Sequence, residues 1–157
     1  MKTWREAMRD SIAPGTAAGL TTLATVAARG SKDTGSAVAP INASSHAIWG
    51  DKAASVEAIT VRHTVPGVIF NVAGTSWWAL VFEKLFGTAV DRRGFPAALL
   101  GGTATAALAY LVDYRIVPRR LTPGWEHRVS RSSLFMTLGA MAAGLTIGAM
   151  CSRRNRC

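Results

Sequence analysis

The stretch SSLFMTLGAMAAGLTIGAMCS, Ser132–Ser152, decides how this chain is read. It holds no Lys, Arg, Asp or Glu, and is bounded by Arg131 on one side and by Arg153 and Arg154 on the other. A bilayer core is about 30 Å thick, and a helix crosses it in about 20 residues, with a lower limit near 17. Three more windows have the same character: Ser11–Ala28, Thr64–Phe82 and Gly94–Val112. Every charged side chain lies between or beyond the four. They predict an all-α fold, a four-helix transmembrane bundle forming one integral membrane domain over residues 1–157. Its spans fall at 11–28, 64–82, 94–112 and 132–152.

Composition agrees. Charged residues make up 17% of the chain, below the roughly 25% of a soluble domain. The 18 basic residues outnumber the 9 acidic ones. Such a balance suits nucleic acid or anionic lipid. Here the cations flank the apolar windows, as at Arg5 and Arg9, Arg92 and Arg93, Arg119 and Arg120, and the Arg153–Arg156 tail. That placement fits anionic headgroups, each charge contributing roughly 1 kcal/mol near such a surface. It leaves no soluble basic module for nucleic acid. The expected surroundings are therefore the lipid bilayer, with a second copy of the chain or another membrane protein as possible partners.

The first window is the least apolar, built from Ala, Gly and Thr around Ile12, Leu20, Leu23 and Val26. It admits a second reading as a cleaved signal peptide, with Val26-Ala27-Ala28 as a small-residue cleavage site. Glu6 and Asp10 in its leading region speak against that reading. Between the first two spans, Pro40–Asp51 predicts a short interfacial helix, opened by Pro40 and closed by Gly50, with Ile41, Ile48 and Trp49 turned to lipid or protein. Asp51–Arg62 reads as a further polar helical stretch. Gly87–Gly94 reads as the turn joining the second and third spans, and Trp77 and Trp78 as interfacial anchors near it.

Helical spacing marks the faces that pack. Gly15, Gly19 and Thr22 form one stripe; Gly67, Asn71, Gly74, Thr75 and Trp78 a second; Gly102, Ala106, Ala109 and Asp113 a third; Ala140, Gly144 and Gly148 a fourth. Small residues at this spacing let helix backbones approach closely in lipid. Ala98, nearer the helix end, is expected to suffer less from a leucine than Gly102 or Gly144. Orientation is a tie: four spans leave nine basic residues on each side. The basic leading segment tips the reading toward cytoplasmic termini.

Chemistry is sparse. No GxSxG, P-loop, dinucleotide fingerprint, HExxH or CxxC occurs, so no catalytic, cofactor or metal residue is assigned and the chain reads as a non-enzyme. With four spans, His46, His63 and His127 fall on one side, together with Asp51, Asp113, Arg115 and Glu126. Neutral imidazole and carboxylate are the usual ingredients of a metal site or a proton relay. Asn71 is the carboxamide inside a span, and Asp113 closes the small-residue face of the third. The polar candidates are thus His46, Asp51, His63, Asn71, Asp113 and Arg115. The expectation is that His46, His63 and Asp113 approach one another, with Asn71 a turn or two deeper and Arg115 available to pair with Asp113.

The segments PINASSHAIWGD, residues 40–51, and YLVDYRIVPRRLTPG, residues 110–124, resemble stretches of a family of small uncharacterised bacterial multi-spanning inner-membrane proteins. The resemblance implies a multi-pass bacterial inner-membrane location and carries no activity with it. Three functional readings follow. The first is a non-enzymatic membrane component or interaction partner. The second is a small transporter or channel using Asn71 and Asp113. The third is a membrane enzyme or metal site around His46, Asp51 and His63.

Overall fold

The computed structural model describes residues 1–154, so Arg156 and Cys157 of the basic tail lie outside the described residues. Among these residues all regular structure is helical, with no strand. The helices are α1 (Trp4–Asp10), α2 (Ile12–Thr34), α3 (Ala39–Ala43), α4 (His46–Trp49), α5 (Val61–Arg93), α6 (Phe95–Leu111) and α7 (Arg131–Arg154). Three are long and apolar enough to cross a membrane: α5, α6 with its continuation to Ile116, and α7. Their outward faces carry Ile69, Leu99, Leu100, Phe135 and Ile147, all exposed. An apolar surface of that extent is compatible with a membrane-embedded protein.

Helix α2 is not among the three. Its 23 residues span about 34 Å at 1.5 Å per residue, so composition rather than length sets it apart. Nevertheless it lies antiparallel along α7. The Thr21 hydroxyl donates to the Ala140 carbonyl at 2.8 Å, and Arg29 Nε donates to Ser133 Oγ at 2.8 Å. Asp33 accepts from the Ser130 amide at 2.8 Å. Glycine lets the two backbones meet: a Cβ added at Gly144 would lie 2.5 Å from Ala18 Cα, and one at Gly148 2.5 Å from Pro14 Cα. The opposite side of α2 meets α5, with Gly15 against Ser76 and Ala79 and Gly19 against Thr75. Gly102 of α6 fits against the Ala142 carbonyl of α7. Phe82, Trp78, Met141 and Leu145 fill the centre of the bundle.

One packing expectation changes. Gly74 has nothing within 4 Å of its Cβ position, so it marks open space rather than an interface. Ala98 is fully buried, and its carbonyl accepts from the Thr146 hydroxyl at 3.2 Å.

The expected turn at Gly87–Gly94 is also corrected. Helix α5 runs on through Arg93, and Gly94 alone makes the turn, at φ 68° and ψ −136°. Side chains other than glycine rarely adopt that conformation. Trp77 and Trp78 consequently sit mid-helix. The two acids of the extension, Glu83 and Asp91, are paired with Lys2. Glu83, Gly87 and Asp91 share one face at a spacing of four. The Lys2 side chain lies along that face, in space that a Cβ on Gly87 would fill. Lys2 Nζ is 2.7 Å from Glu83 Oε2, 2.8 Å from Asp10 Oδ2 and 3.2 Å from Asp91 Oδ2. Burial alone would lower the Lys2 pKa. The hydrogen bonds to Asp10 and Glu83 outweigh it and hold the ammonium above the usual lysine range. A capping box, Thr3 with Glu6, starts α1 beside this cluster.

The stretch from Pro40 to Asp51 is two short helices, α3 and α4, with a turn at Ser44–Ser45 between them. Asn42 explains the break. Its amide donates to the Val56 and Ala58 carbonyls at 2.8 and 3.0 Å, and its Oδ1 accepts from Thr64 at 2.7 Å. These bonds pull polar side chains inward, and Ser44, Ser45 and His46 are buried with it. Ile48 and Trp49 stay exposed. Asp51–Ser55 is a 3₁₀ turn, after which non-helical chain leads to the α5 cap at Thr60.

Candidate functional site

The α2–α5 and α6–α7 connections pack on each other at one end of the bundle. His46 Nε2 is 3.0 Å from the Arg119 carbonyl, Arg120 Nε donates to the Ala47 carbonyl at 3.3 Å, and Arg128 pairs with Glu57. Gly124, at φ 84°, fits closely against His46 and the Ala43 carbonyl, which fixes the approach of the two connections. The opposite end carries the Lys2 cluster, the α5–α6 turn at Gly94, and Arg153 of α7 beside that turn.

The three histidines gather at the connection end. His46 and His127 stack edge to face with ring centroids 5.4 Å apart. The His46 Nδ1 is 2.9 Å from the Ala43 carbonyl, so both of its ring nitrogens face backbone oxygens. His63 Nδ1 lies 3.2 Å from Ser45 Oγ, and its ring meets Trp49 at 6.4 Å. Asp51 is exposed. With His46, His127, Arg119 and Arg120 it lines a shallow cleft of about 660 Å³. Among the described residues, no group of three or more His, Cys, Asp and Glu is placed to hold a metal ion.

Asn71 and Asp113 line a different space, a cavity of about 340 Å³ between α5, the end of α6 and α7. Ser44 and Ala47 close it at the connection end, but none of the histidines lines it. Its side is formed by the exposed residues Phe70, Gly74 and Trp77, so it opens laterally. Of the two candidates, Asn71 is already used. Its Oδ1 accepts from the Thr22 hydroxyl at 3.0 Å, and its Nδ2 donates to the Gly19 carbonyl at 3.2 Å, which ties α5 to α2.

Asp113 is held differently. Helix α6 continues into a π-helical turn, Val112–Ile116, closed by the Val117 amide donating to the Val112 carbonyl at 2.9 Å. Single π turns of this kind recur at functional positions in helices. The Trp78 indole donates to Asp113 Oδ2 at 3.1 Å. Among the described residues Asp113 makes no ion pair. Arg115 points elsewhere, its guanidinium donating to the Tyr110 hydroxyl at 3.5 Å and lying 5.9 Å from that ring. The Tyr114 hydroxyl, on the next residue, is buried and finds no hydrogen-bond partner among the described residues. The sequence reading found Asp113 and Asn71 but missed Tyr114, whose phenol resembles any interfacial tyrosine until its neighbours are known. It also missed the Lys2 cluster.

Comparison of the chain with models of known protein families, with curated proteins and with solved structures finds no match. The functional reading therefore rests on the geometry above.

Proposed function

We propose that the chain is a four-span protein of a bacterial inner membrane, both termini cytoplasmic, that binds a small molecule inside its bundle without transforming it. Helix α2 is the fourth span. What supports this is its pairing with α7 from Pro14 beside Gly148 to Asp33 beside Ser130, which carries it through the same depth as an apolar partner. Its low hydropathy is tolerable because two of its faces meet protein, and only the remainder would meet lipid. The basic residues around the connections, Arg119 and Arg120 among them, meet anionic headgroups.

One observation carries the binding function. The lateral cavity has a carboxylate in its wall, and no residue that lines it is basic. A carboxylate at membrane depth is costly unless it is used, so the cavity reads as a place to hold a ligand. The test is a thermal-unfolding screen of the purified protein in detergent against small molecules of varied charge and shape, beside Gly74→Phe. Phenylalanine at this open position projects into the cavity and blocks it. At least one class of compound should raise the unfolding temperature of the parent and leave Gly74→Phe unmoved. Identical responses of the two proteins to every compound would refute the reading.

A second reading, association with another copy or another membrane protein, is favoured by the groove between α6 and α7. It holds about 550 Å³ and is floored by Ala106, Ala107, Gly139 and Ala143. Nothing approaches Gly139 within 4 Å. A disulfide dimer of Gly139→Cys in native membranes would support this reading, and uniform monomer would dismiss it for this face.

A further inference from the structure

We propose that the ligand of the lateral cavity is an organic cation with an apolar body, an amphiphile that enters from the bilayer. The inference rests on the cavity being a binding site and adds the chemistry of its occupant. Four features select that chemistry. The first is sign: Asp113 supplies the charge in the wall, and no Lys, Arg or His lines the space to neutralise it. The second is the wall itself. Trp77, Trp78, Tyr114 and Trp125 present indole and phenol surfaces, and aromatic faces attract cations through their quadrupoles, more strongly when water is excluded. The third is the partnering of the carboxylate, which among the described residues takes one side-chain hydrogen bond, from the Trp78 indole, and no ion pair. The fourth is access, because the opening past Phe70, Gly74 and Trp77 lies on the outward side of α5.

Other occupants fit less well. An anion would meet Asp113 with no cation to offset it. A purely apolar molecule would leave the carboxylate desolvated and served by one indole N–H. A divalent metal wants several oxygen ligands, commonly with more than one carboxylate, and no acidic group besides Asp113 lines the cavity. The volume, about 340 Å³, lies at the lower end of the range for small-molecule pockets, which sets the scale at one aromatic ring and a substituted ammonium.

The experiment uses the full chain in neutral detergent and two probes of the same shape, benzyltrimethylammonium and its carbon isostere neopentylbenzene. Binding is read as quenching of tryptophan fluorescence, with Gly74→Phe giving the background from micelle partitioning. The parent should bind the cation at least about tenfold more tightly than the isostere, a ratio equivalent to about 1.4 kcal/mol. Asp113→Asn should remove that preference and leave the isostere unchanged. Trp77→Leu, at an exposed position where folding is not at stake, should weaken the cation alone. Equal binding of both probes, unaffected by Asp113→Asn and Trp77→Leu, would overturn the cation inference and leave the cavity as a neutral binding site. Binding of neither probe would also overturn it, while the broader screen decides whether the cavity binds anything. Equal Asp113-dependent quenching by sodium or magnesium chloride alone would overturn the organic character of the ligand.

Discussion

Replacing Gly144 by alanine adds one carbon where α2 and α7 are closest. That carbon would lie 2.5 Å from Ala18 Cα, 2.5 Å from Thr21 Oγ1 and 2.7 Å from Ala18 N. Carbon atoms rest at about 3.5–4.0 Å, so the helices must part by about 1 Å. Backbone atoms of a packed helix cannot step aside as a side-chain tip can. Overpacking of this kind costs about 1–3 kcal/mol. The separation also stretches the Thr21 to Ala140 hydrogen bond, worth about 0.6–1 kcal/mol in a membrane bundle. Against these stands the gain from replacing a helical glycine, about 0.5–1 kcal/mol. The net expectation is destabilisation by about 1–3 kcal/mol. Gly139→Ala, on the same helix with nothing within 4 Å, makes the same chemical change without the contact and should stabilise by about 0.5–1 kcal/mol. The assay is reversible unfolding in mixed micelles as sodium dodecyl sulfate is raised, followed by circular dichroism. The two variants should move in opposite directions. Equal shifts, or a stabilised Gly144→Ala, would refute the close packing of α2 on α7 and with it the case for a fourth span.

Further expectations are more compact. Lys2→Met should destabilise by about 3–5 kcal/mol, because it leaves buried Glu83 without its cation; a loss under 1 kcal/mol in the same micelle assay would show that the cluster is not structural. The Lys2 pKa is raised in the folded state, so its stabilisation is complete below the unfolded value, about 10.4, and disappears as pH climbs through the folded one. Unfolding free energy should therefore decline above about pH 10.4 in the parent, with Lys2→Met showing a shallower decline; parallel profiles would contradict the assignment. Gly124→Ala forces a positive φ on a side chain and drives it toward the Ala43 carbonyl and His46. It should make the connection end susceptible to proteolysis while the apolar helices stay protected. In a cysteine-free background, Ser36→Cys and Pro123→Cys should label from the same side of the membrane, because their connections pack together, and opposite sidedness would remove the four-span arrangement.

The long helices were legible because charge is excluded from lipid. The same logic misplaced the end of α5. Glu83, Lys84 and Asp91 read as a boundary because a lone charge ends a span, yet a charge met by Lys2 does not. The signal was present in Glu83, Gly87 and Asp91 at intervals of four, two acids with a gap between them on one face. Small-residue stripes located Gly15, Gly19, Gly102, Gly144 and Gly148 at interfaces, but Gly74 lies in the same pattern and faces open space. A glycine in a stripe says that a neighbour can come close, not that one does. For the candidate site, Asn71 and Asp113 stand out by type alone. Which of them is already bonded depends on Thr22 and Gly19 in another helix, and that is invisible in a linear reading. The histidines lie at one end of the bundle, but the ring nitrogens of His46 face carbonyls that only the folded loops bring near.

The seating of α2 has a consequence for how the protein is made. Its partner atoms at Ala140 lie 119 residues further along the chain, so α2 is completed by a helix made much later. Until α7 arrives, α2 must wait with its Pro14, Ala18 and Thr21 face uncovered and too few large apolar groups to hold it in lipid unaided. If α2 is the fourth span proposed above, its insertion should follow that of α7 rather than its own hydropathy. Chains truncated before Ser132 should accumulate with α5 and α6 inserted and α2 still accessible to protease.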